Sequence, residues 1–447
     1  MDVVEEAAAV KVQLSPQMNT KQRARLSLEA EQEMNETADC KIIGLTLETR
    51  PDRINPEEVR YLRWLGCTRV QLGVQHTDEE VLKIINRGHG VNEAVNAVKI
   101  LKESGFKVDI HLMPDLPGST KEKDMEMFDY VLHTPHLQAD HWKIYPCEVT
   151  PFSQIEKWHA EGKYVPYTEV NPELLVELLV YVKSQVHPWI RLNRVIRDIP
   201  VESIIAGNDN VNLRQEIYKR LAKLNLACRC IRCREIRDFA EVDCLPDTRL
   251  VKREYRASEG DEIFISIEGV VDRGVGGGAE NRGIGKKNAK KIDDNAPLYG
   301  LLRLRFNDDP LAGERIFPEL KGCALIRELH VYGVVQPVRL GVPGPDQAAD
   351  TVQHAGYGKQ LMAEAERIAR ARGYAKIAVI AGIGVRNYYR KRGYRLQGLY
   401  LVKDLTDLPV PVGQRCRDFV QKNAAVVGVA TAAVLTGLAV FLRSRRS

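Results

Sequence analysis

The sequence predicts an α/β protein: a partial (β/α) barrel, a second α/β domain and a C-terminal transmembrane helix. Three observations carry that expectation. Short apolar strands alternate with amphipathic helices between residues 41 and 146, the order that builds parallel βαβ units. In the second half a glycine-rich turn, Gly356-Tyr357-Gly358-Lys359, runs straight into an amphipathic helix. Near the end, residues 424–442 (AAVVGVATAAVLTGLAVFL) carry no charge.

Composition narrows the class. With 447 residues, 44% hydrophobic and 28% charged, the chain is globular and long enough for two or three domains. Gly (33) and Pro (21) follow no strict period, which excludes collagen-like and low-complexity chains. Nine Cys is an odd number, and no apolar leader opens the sequence, so a secreted disulfide scaffold is excluded and reduced, cytosolic thiols are expected.

In chain order, the first forty residues are charged and helical in pattern. Residues 41–48 (KIIGLTLE) read as a buried strand, and 56–66 as a helix with Pro56 at a favoured first-turn position. Residues 69–75 form the next strand; 92–105 form a helix closed by Gly105. Strands at 107–114 and 141–146 follow. In parallel βαβ units active groups gather at the carboxyl ends of strands. The polar groups Glu48 to Asp52, Gln75-His76 and Asp115 all fall there.

Residues 187–237 hold 11 Lys plus Arg against 5 Asp plus Glu, a local +6 that exceeds the +5 of the whole chain. It reads either as a solvated helical face or as a phosphate-binding surface for nucleic acid. Within it Cys228, Cys230 and Cys233 form C-x-C-x-x-C, three soft ligands close enough to meet one ion, with structural zinc expected. Cys244 and His187 are the candidates for a fourth ligand.

The second domain begins near Leu250, with strands at 262–270, 298–306 and 324–335 and a Gly- and Lys-rich stretch, 274–291, that reads as inserted or disordered. Gln353 to Lys359 then opens a helix, which aims backbone N–H groups and a positive dipole end at an anion such as a pyrophosphate. A strand (376–382) and the N-x-Y-x-x-x-G-Y segment 387–394 follow. The uncharged run 424–442 is long enough to cross a hydrocarbon core of about 30 Å. Flanked by arginines, it is expected to anchor the chain by its tail in a membrane, the mitochondrial outer membrane foremost, with everything upstream in the cytosol.

The order strand, Q-x-x-G-x-G, helix, strand, N-x-Y-x-x-x-G-Y resembles the GNAT acetyltransferase superfamily. Beyond it, the words GLTLETRPD, RVQLGVQ, NRGHG, GFKVDIHLMPDLPGS, KIYP, RDIP, LLRLRF, RELHVYG, QHAGYG, AERIAR, KIAVI and RNYYRKRGY occur in the order seen in the elongator complex protein 3 family, the catalytic subunit of Elongator. The resemblance implies a radical S-adenosylmethionine (SAM) domain joined to a GNAT-like domain. It implies formation of a carboxymethyl group at the wobble uridine of tRNA, with acetyl-CoA, SAM and a 4Fe-4S cluster as cofactors. The implied partners are tRNA and the other Elongator subunits, with a homodimer as a further expectation.

By the same resemblance Glu328, Leu329, His330 and Val331 line the acetyl-CoA channel, with Gln353, Gly356, Tyr357, Gly358 and Lys359 at the pyrophosphate. Tyr388 or Tyr389 sits at the thioester, and these two with His330 and Glu328 are the implied catalytic residues. Glu48, Arg50, Gln75, His111 and Lys143 are the implied SAM or substrate contacts. Arg191, Arg194, Arg232 and Arg234 lead the expected tRNA contacts. The expected division is 1–186 (partial radical SAM domain), 187–249 (basic linker with the Cys cluster), 250–405 (GNAT-like domain), 406–422 (linker) and 423–442 (membrane anchor), the last of which the resemblance does not explain.

One departure stands out. The family's cluster motif, a Cys followed by C-x-x-C, is missing: the first 66 residues hold a single Cys, Cys40. A sequence truncated at its N-terminus is expected, with loss of the radical step as the alternative. Two other functions stay open: a protein lysine acetyltransferase, and a non-catalytic membrane-tethered protein binding tRNA or Elongator partners.

Overall fold

A computed structural model of the chain describes residues 26–196, 199–236, 247–270, 293–332 and 356–406. Gln353, Cys244, the stretch 274–291 and the expected membrane span 424–442 lie outside the described residues. Among the described residues no helix is long and apolar enough to cross a membrane.

The first half alternates strand and helix as its hydrophobic periodicity dictates. Helix α1 (Leu28–Thr37) precedes β1 (Leu45–Thr49), α2 (Pro56–Trp64) and β2 (Cys67–Gln75). Then come α3 (Glu79–Ile84), α4 (Val91–Glu103), β3 (Lys107–Leu112), α5 (Lys121–His133) and β4 (His141–Ile144). Short β5 (Glu148–Val149), α6 (Gln154–Ala160), α7 (Tyr167–Val170) and α8 (Glu173–Gln185) lead to β6 (Arg191–Arg194). Short β7 (Ala206–Gly207), α9 (Leu213–Lys223) and α10 (Ile231–Arg234) close this half. Local signals set the boundaries. Asn55 accepts from the backbone N–H of Glu57 and Glu58 to cap α2, and Gly105, at φ 85°, turns the chain out of α4 into β3.

Strands β1-β2-β3-β4-β6 form a five-stranded sheet in that order, every pair parallel. The first strand is shorter than expected. Ile42 and Ile43 are 67% and 65% exposed, and the Ile42 backbone bonds to the Asn35 side chain and to Gly384 N rather than to a strand. Pairing with β2 begins only at Leu45.

The second half is a seven-stranded sheet in the order β13-β14-β12-β11-β10-β9-β8. Strands β8 (Thr248–Arg256), β9 (Gly260–Gly269), β10 (Leu298–Asn307) and β11 (Cys323–Val331) form an antiparallel meander. Helix α11 (Tyr357–Ala371) then crosses over to β12 (Lys376–Val379), which pairs parallel to β11. Helix α12 (Arg386–Arg390), β13 (Arg395–Gln397) and β14 (Tyr400–Asp404) complete it. Strand β8 was not expected: its sequence, TRLVKREYR, is polar because it is an edge strand with one open side.

The two halves share a buried interface. Arg63 of α2 donates to the carbonyls of Leu399 and Ala381, and the Tyr400 hydroxyl donates to Ser104 O. Beside these, Lys102, Arg303, Arg305 and Arg327 surround Asp140 and Glu262 with almost no solvent contact. Buried charges persist only when paired in this manner.

Candidate active site

Side chains of a strand alternate between faces, and the parallel sheet uses its two faces differently. Toward the helices it presents Val70, Leu72, Val108, Ile110, Trp142, Ile144 and Leu192, all buried. Its other face is polar: Glu48 on β1, Arg69 and Gln71 on β2, Asp109 and His111 on β3, His141 and Lys143 on β4, Asn193 on β6. A parallel sheet covered by helices on both faces reads as apolar throughout, so this polar face marks the inside of an incomplete barrel.

The polar side chains are tied to one another. Asn193 Nδ2 donates to Asp109 Oδ2 at 2.7 Å and lies 3.2 Å from His141 Nδ1. Lys143 Nζ donates to Gln71 Oε1 at 2.5 Å, and Glu48 lies 3.6 Å from His111 Nδ1. Burial holds the Asp109 carboxyl above its ordinary range and the His141 imidazole below its own.

The second sheet reaches this face through Glu328. Its carboxylate accepts from Arg303 Nε at 2.8 Å and lies 3.7 Å from Lys107 Nζ and 3.9 Å from His141 Nε2. Burial alone would raise its pKa, but Lys107, His141 and Arg303 together hold it well below the carboxylate range. Glu328 is therefore a fixed anion.

Beyond Glu328 the second sheet opens. Strands β11 and β12 pair from Cys323↔Lys376 to Ile326↔Val379, with one last bond from Ile380 N to Ile326 O. From there to Val331, β11 pairs only with β10 among the described residues. The N-terminus of α11 faces the gap, entered through Gly356 at φ 75°, a conformation that favours glycine. At Gly358 a Cβ would stand 2.5 Å from the Tyr388 hydroxyl and 3.7 Å from Val331. The Arg392 guanidinium covers the Tyr388 ring, 3.5 Å from its centroid.

Several expected site residues thus meet: Val331, Gly358 and Tyr388 at the gap, with Glu328 at its mouth and exposed His330 beside Tyr332. Others do not. Tyr389 is buried between Tyr388 and Tyr394 as core. The Tyr357 ring is buried with its hydroxyl 3.3 Å from Thr248, so only its backbone remains for an anion. Arg50 is spent on Asp52, a neighbour two residues on. Gln75 has φ 71°, and its buried Oε1 has no hydrogen-bond partner among the described residues.

At the carboxyl ends of β2 and β3 a second network was not foreseen in full. His76 Nδ1 accepts from Asp78 N, so Nε2 carries the proton toward Asp124 Oδ1 at 3.0 Å. Asp124 also accepts from Ser119, the Tyr167 hydroxyl and the backbone of Asp115. Asp115 accepts from Thr168 and the Tyr167 backbone, while burial pushes it up to about 7. These groups lock the loops at the strand ends. Asp124 and Tyr167 lie on helices and carry no local sequence signal for that role.

The three cysteines come together as their spacing predicts: the sulfurs of Cys228, Cys230 and Cys233 all lie within 4.8 Å of one another. They sit at the amino end of β6, where Ile231 N donates to Ile190 O, on the side away from the strands' carboxyl ends. The Cys233 thiol is drawn far down, first by hydrogen bonds from Cys228 and Cys230 and further by Lys183. His187 is not part of the set, because its Nε2 donates to Leu132 O and its ring stacks on Trp189.

The basic segment corrects two expected tRNA contacts. Arg234 is buried, bonded to Glu268 at 2.9 Å and to Pro188 O, and Arg191 forms a bidentate pair with Glu235. Each guanidinium is consumed by a carboxylate inside the fold. Arg232 is half-buried. Arg194, Lys219 and Lys223 are exposed, the two lysines on the face of α9 opposite its buried Leu213, Ile217 and Leu221.

A parallel half-barrel with polar groups on its inner face defines a class. Residues 15–131 match the radical SAM superfamily and residues 139–223 the radical SAM C-terminal domain. More particularly, the chain is 40% identical over 389 residues to the tRNA uridine(34) acetyltransferase of Methanocaldococcus infernus, covering 86% of this chain and 66% of that one. It is 38% identical over 383 residues to that of Dehalococcoides mccartyi (85% and 75% covered) and 39% identical over 375 residues to human Elongator complex protein 3 (83% and 62% covered). The solved archaeal Methanocaldococcus infernus Elp3 with an N-terminal deletion matches with a TM-score of 0.69 at 37% identity, over 86% of this chain and 83% of that one. The chain therefore belongs to the family of Elongator complex protein 3 and the tRNA uridine(34) acetyltransferases. It spans about two thirds of the length of the archaeal relatives, 66% and 64%.

Proposed function

We propose that this chain acts in acetyl-CoA-dependent modification of the wobble uridine of tRNA. The observation that carries the reading is the continuity between the β11–β12 gap and the polar barrel face, joined at Glu328. Acetyl-CoA fits the gap. The backbone at Gly356 and Gly358 can approach a pyrophosphate at the start of α11, and the dipole of that 15-residue helix favours the anion. The second sheet is then a GNAT-type domain, with its body in residues 250–405. Bound there, acetyl-CoA supplies an activated acetyl group. Tyr388 is the hydroxyl at the gap, and Glu328, held ionised, orients His141 and Lys107 toward the incoming base.

Membership of the radical SAM superfamily implies SAM and a 4Fe-4S cluster for the family. Glu48, Gln75, His111 and Lys143 share the polar face that would receive SAM or the base. Among the described residues the cysteines do not fit a cluster at the strands' carboxyl ends. Cys40 is exposed, Cys67 and Cys147 are buried singly, and the one triad is at the opposite end. The triad fits a structural zinc that ties α8, α9 and β6 together. Arg194, Lys219 and Lys223 are the proposed phosphate contacts. The run 424–442 is proposed to tether the protein to the mitochondrial outer membrane, and fusing residues 411–447 to a fluorescent protein tests that: a diffuse signal would reject it.

The function itself is tested by acetyl-CoA hydrolysis by the full chain with and without tRNA. Turnover stimulated by tRNA is expected. Turnover indifferent to tRNA, with acetylation of protein lysines, would replace this reading with a lysine acetyltransferase.

A further inference from the structure

A cleft of about 620 Å³ lies on the far side of α4 from the polar face, between that helix and the loop after β10. Its walls carry Asp52, Glu93, Glu103, Glu259 and Asp309 against Lys99 and Arg315, over a floor that includes Ile54, Ile100 and Ile316. Three of the acids are neutralised locally: Asp52 by Arg50, Glu259 by Lys99, and Asp309 by Arg315. Among the described residues Glu93 accepts only the Gly90 backbone N–H.

Glu103 is the anomaly. It is 7% exposed, lines the cleft, and its carboxylate makes no hydrogen bond or ion pair among the described residues. Lys99, one turn back, is turned to Glu259. Arg305 is held by the carbonyls of Ala257 and Ser258 and by Glu262. Lys99 and Arg305 stand close enough to offset part of the burial, which still holds the Glu103 carboxyl above its ordinary range, so a cation bonded to it directly would be favoured.

We propose that this cleft binds a linear alkyl polyamine, with ammonium groups on Glu103 and Glu93 and methylene segments on the isoleucine floor. The two acids are ten residues apart on α4, about 15 Å along its axis at the helical rise, which a chain with spaced charges can bridge. A single metal ion cannot. Among the described residues no three carboxylates bring ligand atoms within reach of one ion, whereas divalent cations need several oxygens at one point. A buried carboxylate beside an apolar wall suits an alkylammonium, whose stem is hydrophobic and whose head is a charge. This site goes beyond the tRNA reading and does not rest on it.

The test is calorimetric titration of the full chain, free of tRNA, with spermine, putrescine and Mg²⁺, alongside Glu103→Gln and the exposed control Glu161→Gln. Spermine is expected to bind the wild type and the control alike, at least tenfold more tightly than putrescine, and to lose at least tenfold in Glu103→Gln. Thermal unfolding gives an independent readout. Spermine should raise the wild-type midpoint, while Glu103→Gln without amine should unfold at a higher temperature than wild type and ignore spermine. Unchanged spermine affinity in Glu103→Gln, absent binding to wild type at millimolar spermine, or equal effects of spermine, putrescine and Mg²⁺ would overturn the proposal.

Discussion

The guanidinium of Arg327 on β11 clasps the carboxylate of Asp140, just ahead of β4, with Nη2–Oδ1 at 2.6 Å and Nη1–Oδ2 at 2.8 Å, neither side chain exposed. This pair joins the two sheets one residue from Glu328 and one from His141, so the lock and the site are built from adjacent positions. Four buried cations (Lys102, Arg303, Arg305, Arg327) and the partly exposed Lys107 face three carboxylates (Asp140, Glu262, Glu328) there. The excess is positive, so losing an anion is worse than losing a cation.

Asp140→Asn is therefore expected to destabilise the protein by about 3–5 kcal/mol, the cost of stranding a buried partner. Arg327→Met, which reduces the positive excess, should cost less. Urea unfolding of both variants checks the order, and equal losses would contradict the charge count.

The same cluster makes the fold acid-sensitive. Burial raises the Glu262 carboxyl, but Arg327 and Lys102 outweigh it and hold it at about 2, and Asp140 and Glu328 are also held well below normal. Folded values below unfolded ones mean stability that is present above the ordinary carboxylate pKa of 4.5 and lost as pH falls toward 2. Stability measured from pH 6 to pH 2 should fall most steeply in that window, and less steeply in Glu262→Gln.

At the gap, Gly358→Ala should abolish acetyl-CoA binding, because the new methyl would meet the Tyr388 hydroxyl at 2.5 Å. The ring carbon behind that hydroxyl is 3.6 Å away, so Gly358→Ala with Tyr388→Phe should recover part of the affinity. Calorimetry on the single and double variants measures the coupling, and additive losses would separate the two residues.

Metal analysis tests the cysteines. One zinc per chain is expected, lost when Cys228, Cys230 and Cys233 are all changed to Ser, with a fall of several kcal/mol in stability, since structural zinc contributes directly to folding. Metal retained by the triple variant would place it elsewhere.

For tRNA, Lys219→Ala with Lys223→Ala should weaken binding and lower the slope of log K against log salt by about 2, roughly one for each phosphate that a lysine no longer neutralises. Arg234→Ala should instead lower stability, because it removes one of the two guanidinium partners of the buried Glu268 and leaves only Arg253. A salt slope unchanged by the lysine pair would move the tRNA surface elsewhere.

The sequence by itself determined whatever a few neighbouring residues can encode. Hydrophobic periodicity set the βαβ order, Asn55 and Gly105 began and ended elements, and C-x-C-x-x-C kept three sulfurs close enough in sequence for a turn to gather them. The partner of a charge is not local, and there only the tertiary structure decided. Arg234 reads as a nucleic-acid contact until Glu268, 34 residues on, proves to hold it inside. Tyr388 and Tyr389 are equal in sequence, yet one helical step sends the first to the gap and the second into the core. The polar side of β2, β3 and β4 was written in alternate residues, but that it faces a barrel interior and Glu328 depended on strands and loops closing over long separations. Burial sets the value of a charge, and burial belongs to the folded chain alone.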